Sequence, residues 1–98
     1  MVEFKYIHHS CFMLATEKDA IIFDPYLDGN PTGVKATDLK VSHVLVTHNH
    51  ADHLGSAYEI AKANNATFIS TAEVANAAAQ AGVKVHAMHI GGVLPFPF

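Results

Sequence analysis

The stretch Val44–Ile60, VLVTHNHADHLGSAYEI, places three histidines and an aspartate within six consecutive residues, directly after a β-branched apolar run. "SHVLVT" (42–47) reads as a buried strand, and "LGSAYEIAKANN" (54–65) carries Leu54, Ala57, Tyr58 and Ala61 at helical spacing. The ligand-type residues therefore fall where a strand hands the chain to a helix. The carboxyl ends of strands are where α/β sheets build their sites. Imidazole nitrogen and carboxylate oxygen suit zinc, and also manganese or iron. His48 and His50, two apart in an extended loop, can point to the same side. Asp52 and His53 are adjacent, so they diverge and face a second ion. The spacing thus suggests two neighbouring metals, the clamp used in hydrolysis. Asp52 near a helix N-terminus would also offset that helix's positive end. The alternative is a solvated loop in which Asp52 only caps the helix, but capping needs one aspartate and not three histidines. From the chain's own composition, H-x-H-x-D-H arises by chance in roughly one such sequence in a few hundred.

Outward from this stretch, the chain divides into two patterns. Before it, "VEFKYI" (2–7) alternates, and "CFMLAT" (11–16) and "AIIFD" (20–24) flank the polar turn "EKD" as a hairpin. "PYLDGNPTG" (25–33) is a loop punctuated by proline and glycine. After it come "TFIS" (67–70) as a strand, "TAEVANAAAQAG" (71–82) as a helix, and "VKVHAMHI" (83–90) as a strand. Ser70 and Glu73 have capping-box spacing, and Gly82 sits at a C-terminal cap position. The expectation is an α/β (α+β) arrangement. Antiparallel strands over 2–24 join strands 43–47, 67–70 and 84–90 in one mixed sheet, with helices near 54–64 and 72–81 on one face.

Composition narrows the classes. The chain has 98 residues, half of them apolar, and a net charge of −3. That is enough for one domain and its core. Arginine and basic runs are absent, which argues against a nucleic-acid partner. No apolar run reaches a membrane span, and the start "MVEFKYIHH" does not read as a signal peptide. The lone Cys11 forms no internal disulfide and fits a reducing cytoplasm. The end, "GGVLPFPF", stops without an evident second layer for the sheet, so the chain reads as one piece, 1–98, of a longer domain.

"HSCFML" (9–14), "IIFDPYLDGNP" (21–31), "VSHVLVTHNHADHLGSAYEIAK" (41–62) and "HIGG" (89–92), in this order, resemble the N-terminal part of metal-dependent hydrolases in the metallo-β-lactamase superfamily, near its sugar-phosphate lactonase branch. The resemblance implies the N-terminal half of an αββα sandwich. It also implies two divalent metal ions, with His48 and His50 at the first and Asp52 and His53 at the second. The family completes these sites with further His and Asp residues downstream. One departure is His8, where the family usually has glycine. His9 and Asp24 match residues near the metals. Asp24 has a sensible role orienting a ligand imidazole, or it merely starts the turn before Pro25.

The expected activity is metal-assisted hydrolysis of a small molecule, an ester or lactone or a phosphodiester. Asp52 would be a ligand first and a catalytic proton acceptor second. The rival is a metal-binding fragment without turnover, or a self-associating half-domain forming a homo-oligomer. His8 is expected to face solvent and His43 to be a hydrogen-bonded core residue. His86 and His89 lie on opposite faces of the last strand and are assigned no metal. Cys11 is expected to be a buried small hydrophobe.

Overall fold

The computed structural model describes residues 2–88. Its frame is a six-stranded sheet whose spatial order follows the chain: β1 (Glu3–His8), β2 (Cys11–Ala15), β3 (Ala20–Phe23), β4 (His43–Leu45), β5 (Thr67–Ser70) and β6 (Val85–Ala87). β1, β2 and β3 pair antiparallel, and β3 to β6 pair parallel. The mixed sheet expected above is therefore present. The β2–β3 hairpin closes where Thr16 N–H donates to the Asp19 carbonyl at 2.7 Å. The Thr16 hydroxyl accepts from Lys18 and Asp19 inside that turn.

Parallel neighbours need crossovers, and right-handed crossovers between strands added in one direction put every helix on the same face. Those helices are α1 (Ala51–Leu54), α2 (Ala57–Asn64) and α3 (Ala72–Gln80). The register shows what they cover. Met13, Ile22, Val44, Phe68 and Val85 stand side by side across five strands. Ile22, Val44 and Phe68 are wholly buried and share one core with Ala57, Ile60 and Ala61 of α2 and Val74 and Ala78 of α3. On the opposite face, Phe4, Phe12 and Phe23 form a row with ring centroids 5.4 and 4.4 Å apart. At this edge of the sheet, Phe4 and Tyr6 of β1 and the preceding Val2 are about three-fifths exposed (61, 58 and 62 %).

Four expectations are corrected. The single helix expected near 54–64 is broken at Gly55–Ser56, so Asp52 and His53 belong to the one-turn α1. The break has a steric cause. Gly55 has φ +47°, and a Cβ there would lie 2.4 Å from the Pro25 carbonyl oxygen and 2.7 Å from Tyr26 Cα. Ser70 does not cap α3: it ends β5, its buried hydroxyl donates to the Val46 carbonyl at 2.7 Å, and the N-cap position is Thr71. Gly82, at φ +90°, does close that helix, with Gly82 N–H on Ala79 and Val83 N–H on Ala78. The strand expected over 43–47 runs 43–45 and, among the described residues, the one expected over 84–90 runs 85–87, with single backbone bonds from Val46 N–H to Ile69 and from Met88 N–H to Ser70 beyond them. His89, Ile90 and the "VLPFPF" segment lie outside the described residues. Finally, His8 is half-buried and stacks on Tyr26 at 5.7 Å, whereas His9 is exposed. The β1–β2 register shifts between Tyr6 and His8, and His9 takes φ +56°, so simple alternation fails at that point.

His43 is buried as expected, with its Nδ1 2.9 Å from the Ser42 hydroxyl. Burial lowers its pKa, partly opposed by Asp19 and assisted by Lys84. Cys11 is fully buried, and burial, aided by the negative charge of Asp24, pushes its thiol up to about 12. A thiol so raised is no nucleophile near neutral pH.

Gly55→Ala should destabilise the chain by about 2–4 kcal/mol, combining backbone strain with the clash against Pro25. Gly82→Ala, whose nearest neighbour would be Lys62 Cε at 3.9 Å, should cost only about 1 kcal/mol. Urea midpoints of the two variants test this, and equal losses would refute the close-approach account.

Candidate metal centre

Asp24 leaves the end of β3 with φ +43°, a left-handed conformation that aspartate tolerates better than most residues. Its N–H continues the parallel ladder to the Leu45 carbonyl at 2.8 Å. That register sets its side chain beside the end of β4. The carboxylate is buried, 3 % exposed as a residue. It accepts three hydrogen bonds: Thr47 N–H to Oδ1 at 2.7 Å, and the Thr47 hydroxyl and His53 Nδ1 to Oδ2 at 2.8 and 2.9 Å. A buried carboxylate is expensive unless so satisfied.

These bonds assign protons. A carboxylate only accepts, so His53 carries its hydrogen on Nδ1 and leaves the Nε2 lone pair unused. The Thr47 hydroxyl spends its hydrogen on Asp24. The His48 Nδ1, 2.8 Å from that oxygen, is then the donor, and its Nε2 is likewise left as a lone pair. One buried carboxylate thereby orients two imidazoles, one directly and one through a threonine hydroxyl.

The remaining groups gather around them. The His48 ring lies 4.4 Å from that of His50 and 4.0 Å from that of His53. Asp52 Oδ1 is 3.9 Å from His53 Nε2, and Asp52 Oδ2 is 3.5 Å from His9 Nε2. His9, Asp52 and His53 each offer a donor atom within 4.8 Å of the others, close enough to share an ion. Adjacent Asp52 and His53 were expected to diverge. In the structure the turn of α1 and the tether to Asp24 bring their polar atoms together. The positive helix end expected beside Asp52 is that of a four-residue helix, too short for much of a dipole. His9 is held in place by its backbone, since the Tyr6 hydroxyl donates to the His9 carbonyl at 2.7 Å.

The donor set fits a divalent ion of the zinc class: imidazole nitrogens and one carboxylate, with Nδ1 of His48 and of His53 tied to oxygen partners in the way metal-binding histidines usually are. Thr47 is the residue that sequence reasoning missed. A lone threonine before a histidine carries no spacing signal, and only the β3–β4 register reveals it. His86 lies on β6, away from this cluster in the chain's topology.

Two cavities bear on this end and its opposite. A cleft of 510 Å³ adjoins Asp52. A larger one of 760 Å³ includes Ala20, Ser42, His43 and Thr67 in its lining, at the starts of β3, β4 and β5 and thus at the far end of the sheet. Its size does not connect it to the histidine cluster.

Comparison with known proteins bears on the family and the fold. The family model for the metallo-β-lactamase superfamily matches residues 6–98. A protein described as an UPF0173 metal-dependent hydrolase from Natranaerobius thermophilus is 48 % identical over 98 residues, which are 99 % of this chain and 44 % of that protein. A protein of the same description from Enterococcus faecalis is 45 % identical, over 92 % of this chain and 41 % of its own length. The solved structure of Igni18, a metallo hydrolase from Ignicoccus hospitalis, superposes with a TM-score of 0.82 at 32 % identity, covering 93 % of this chain and 41 % of that one. The chain thus spans less than half the length of these relatives.

Thr47→Val should release the His48 ring from its tautomer while His53, tethered directly to Asp24, keeps its own. The variant should also lose about 1–2 kcal/mol of stability. Side-chain nitrogen NMR resolves the two rings. A His48 ring that still carries its proton on Nδ1 in the variant would break the relay argument.

Proposed function

The chain belongs to the metallo-β-lactamase superfamily, and from that premise we propose that it carries the first half of a dinuclear hydrolytic site. Its substrate would be a small ester or lactone, or a phosphodiester. His48 and His50 would hold one divalent ion, and Asp52 and His53 the other. Zinc fits these donors best, and manganese or iron accept the same set. Two ions bound at these positions would supply an activated water and neutralise negative charge developing on the substrate.

The observation that carries this reading is the proton assignment at Asp24. Through it His53 and His48 each engage Nδ1, which leaves Nε2 as the nitrogen of each ring that can bind an ion. Asp52, half-buried within reach of His53 and His9, is a ligand first and can then hold the proton released from water. His9 lies against the same carboxylate and steadies it, or lends its own Nε2 to the ion. Asp24 acts through the two imidazoles and not on the substrate. A cytoplasmic setting accords with the single buried thiol. Among the described residues no helix is long and apolar enough to cross a membrane.

A second reading rests on a separate observation. The β1 edge presents Val2, Phe4 and Tyr6 to solvent in a row that the aromatic contacts extend to Phe12 and Phe23. Exposed apolar edge strands favour pairing with other chains. On this reading the 98-residue chain binds metal without turnover and self-associates.

In a form extended to the length of its relatives, His48→Ala or Asp52→Ala should abolish hydrolysis, and His86→Ala should leave it within about twofold. His9→Ala should weaken metal binding by about 10–100-fold. Activity assays with metal analysis of each variant decide the matter, and equal loss at His48, Asp52 and His86 would mean that the wrong histidines had been chosen. For the 98-residue chain alone, sedimentation velocity should show concentration-dependent association that Phe4→Ser reduces. A stable monomer at all concentrations would remove the second reading.

A further inference from the structure

The cleft beside Asp52 is formed where two segments are locked together. On one side is the chain that follows β3. Its Asn30 side-chain amide donates to the Leu27 and Val34 carbonyls at 2.7 and 3.0 Å, while its oxygen receives Thr32. Leu27 is buried in the core and anchors this loop. On the other side is the α1–α2 junction. There Gly55 admits the Pro25 carbonyl, and Ser56 N–H donates to that carbonyl at 3.0 Å. The cavity between them therefore has fixed walls, which is how a binding cleft saves the ordering cost of its ligand.

Its lining has one sign of charge. Asp28 stands on the loop side and Asp52 on the helix side, with Tyr26 and Ser56 between them, and no lysine lines it among the described residues. The sequence contains no arginine. Once Asp52 is committed to a metal ion, Asp28 is the charge left facing the cavity. A phosphate or carboxylate placed beside Asp28 would meet its carboxylate, with no lysine among the described lining residues to offset it. An ammonium or a group of hydroxyls would find an acceptor.

We propose that this 510 Å³ cleft is the subsite for the non-reacting part of the substrate, and that Asp28 makes it select hydrogen-bond-donating substrates, ammonium-bearing or polyhydroxylated, over anionic ones. The inference rests on the hydrolase reading and deepens it. It concerns the non-reacting part of the substrate and leaves the reacting bond, ester, lactone or phosphodiester, as that reading has it. Asp28 is a specificity residue and does not touch the reacting bond.

The test uses the metal-loaded protein in its full-length form and two 4-nitrophenyl esters of equal chain length, one ending in an ammonium and one in a carboxylate. Attraction of either ester to the metals is common to wild type and variant, so the ratio of their kcat/KM values isolates Asp28. Asp28→Asn should lower the ammonium-to-carboxylate ratio by about fivefold, as expected for a partly exposed charge, with the change falling on KM. Asp28→Lys should reverse the preference. A second arm titrates the corresponding non-hydrolysable amides and follows backbone amide shifts at Tyr26, Asp28, Gly55 and Ser56. Hydrolysis with a ratio indifferent to both substitutions overturns the subsite and leaves the hydrolase reading standing. Ammonium-selective shifts that vanish in Asp28→Asn, without hydrolysis of either ester, keep the subsite and overturn the hydrolase reading. No hydrolysis and no selectivity in the shifts defeats both.

Discussion

The orientation of two rings in the cluster, those of His48 and His53, depends on one buried carboxylate. Asp24 sits where water does not reach it, and charge in that position costs several kcal/mol unless donors replace the lost hydration. Three donors do so, and all come from the neighbouring strand end and the helix after it: the Thr47 N–H, the Thr47 hydroxyl and His53. The arrangement is mutual. The carboxylate is tolerable only because the strand end and helix are in place, and both rings are oriented only because the carboxylate is there. Removing one member would leave the others with unmet polar groups, so stability and site geometry are coupled at this point.

That coupling is possible because of the sheet's parallel half. Phe23 pairs with Leu45, and the ladder runs one step further from Asp24 N–H to the Leu45 carbonyl. The two chain segments therefore leave the sheet side by side, with Asp24 against Thr47. The core row Met13–Ile22–Val44–Phe68–Val85 fixes this register, because a slip of one residue would turn every one of those side chains to the wrong face. Packing that is remote from the histidines thus determines which nitrogen each of them offers.

The order of strand and ligand loop was legible from residues 42–53 alone, since a β-branched run needs a sheet and clustered histidines at its end need a common purpose. The switch from hairpin to parallel crossovers after Gly33 was legible too, from the change of period. The features that were not legible depend on contacts between distant residues. Asp24 before Pro25 looks equally like a turn residue, and its backbone does make that turn, with Tyr26 N–H on its carbonyl at 2.7 Å. Ser70 and Glu73 have the spacing of a cap, but a carbonyl on the adjacent strand claims the hydroxyl first. The Gly55 break follows from the approach of Pro25, which lies far earlier in the chain. His8 is half-buried, against the solvent-facing expectation, where a register shift interrupts β1. Local propensity is silent on each of these, and tertiary packing decides them.

In the candidate metal centre, orientation of the imidazoles and placement of the carboxylate are separate properties. Orientation of His48 and His53 is internal to this segment: the tethers run through Asp24 and Thr47. Asp52 is different. It stands on a single helical turn, half-exposed, held by a long contact to His9 and a longer one to His53. The turn itself is tied through His53 to Asp24, and at its end Gly55 meets Pro25. A carboxylate kept by weak partners can shift as charge arrives, whereas imidazoles locked by a buried anion cannot. The same Gly55–Pro25 contact fixes the wall of the adjoining cleft. The less constrained candidate ligand and the wall of the cleft therefore share one backbone approach, and His48 and His53 have further tethers of their own in Thr47 and Asp24.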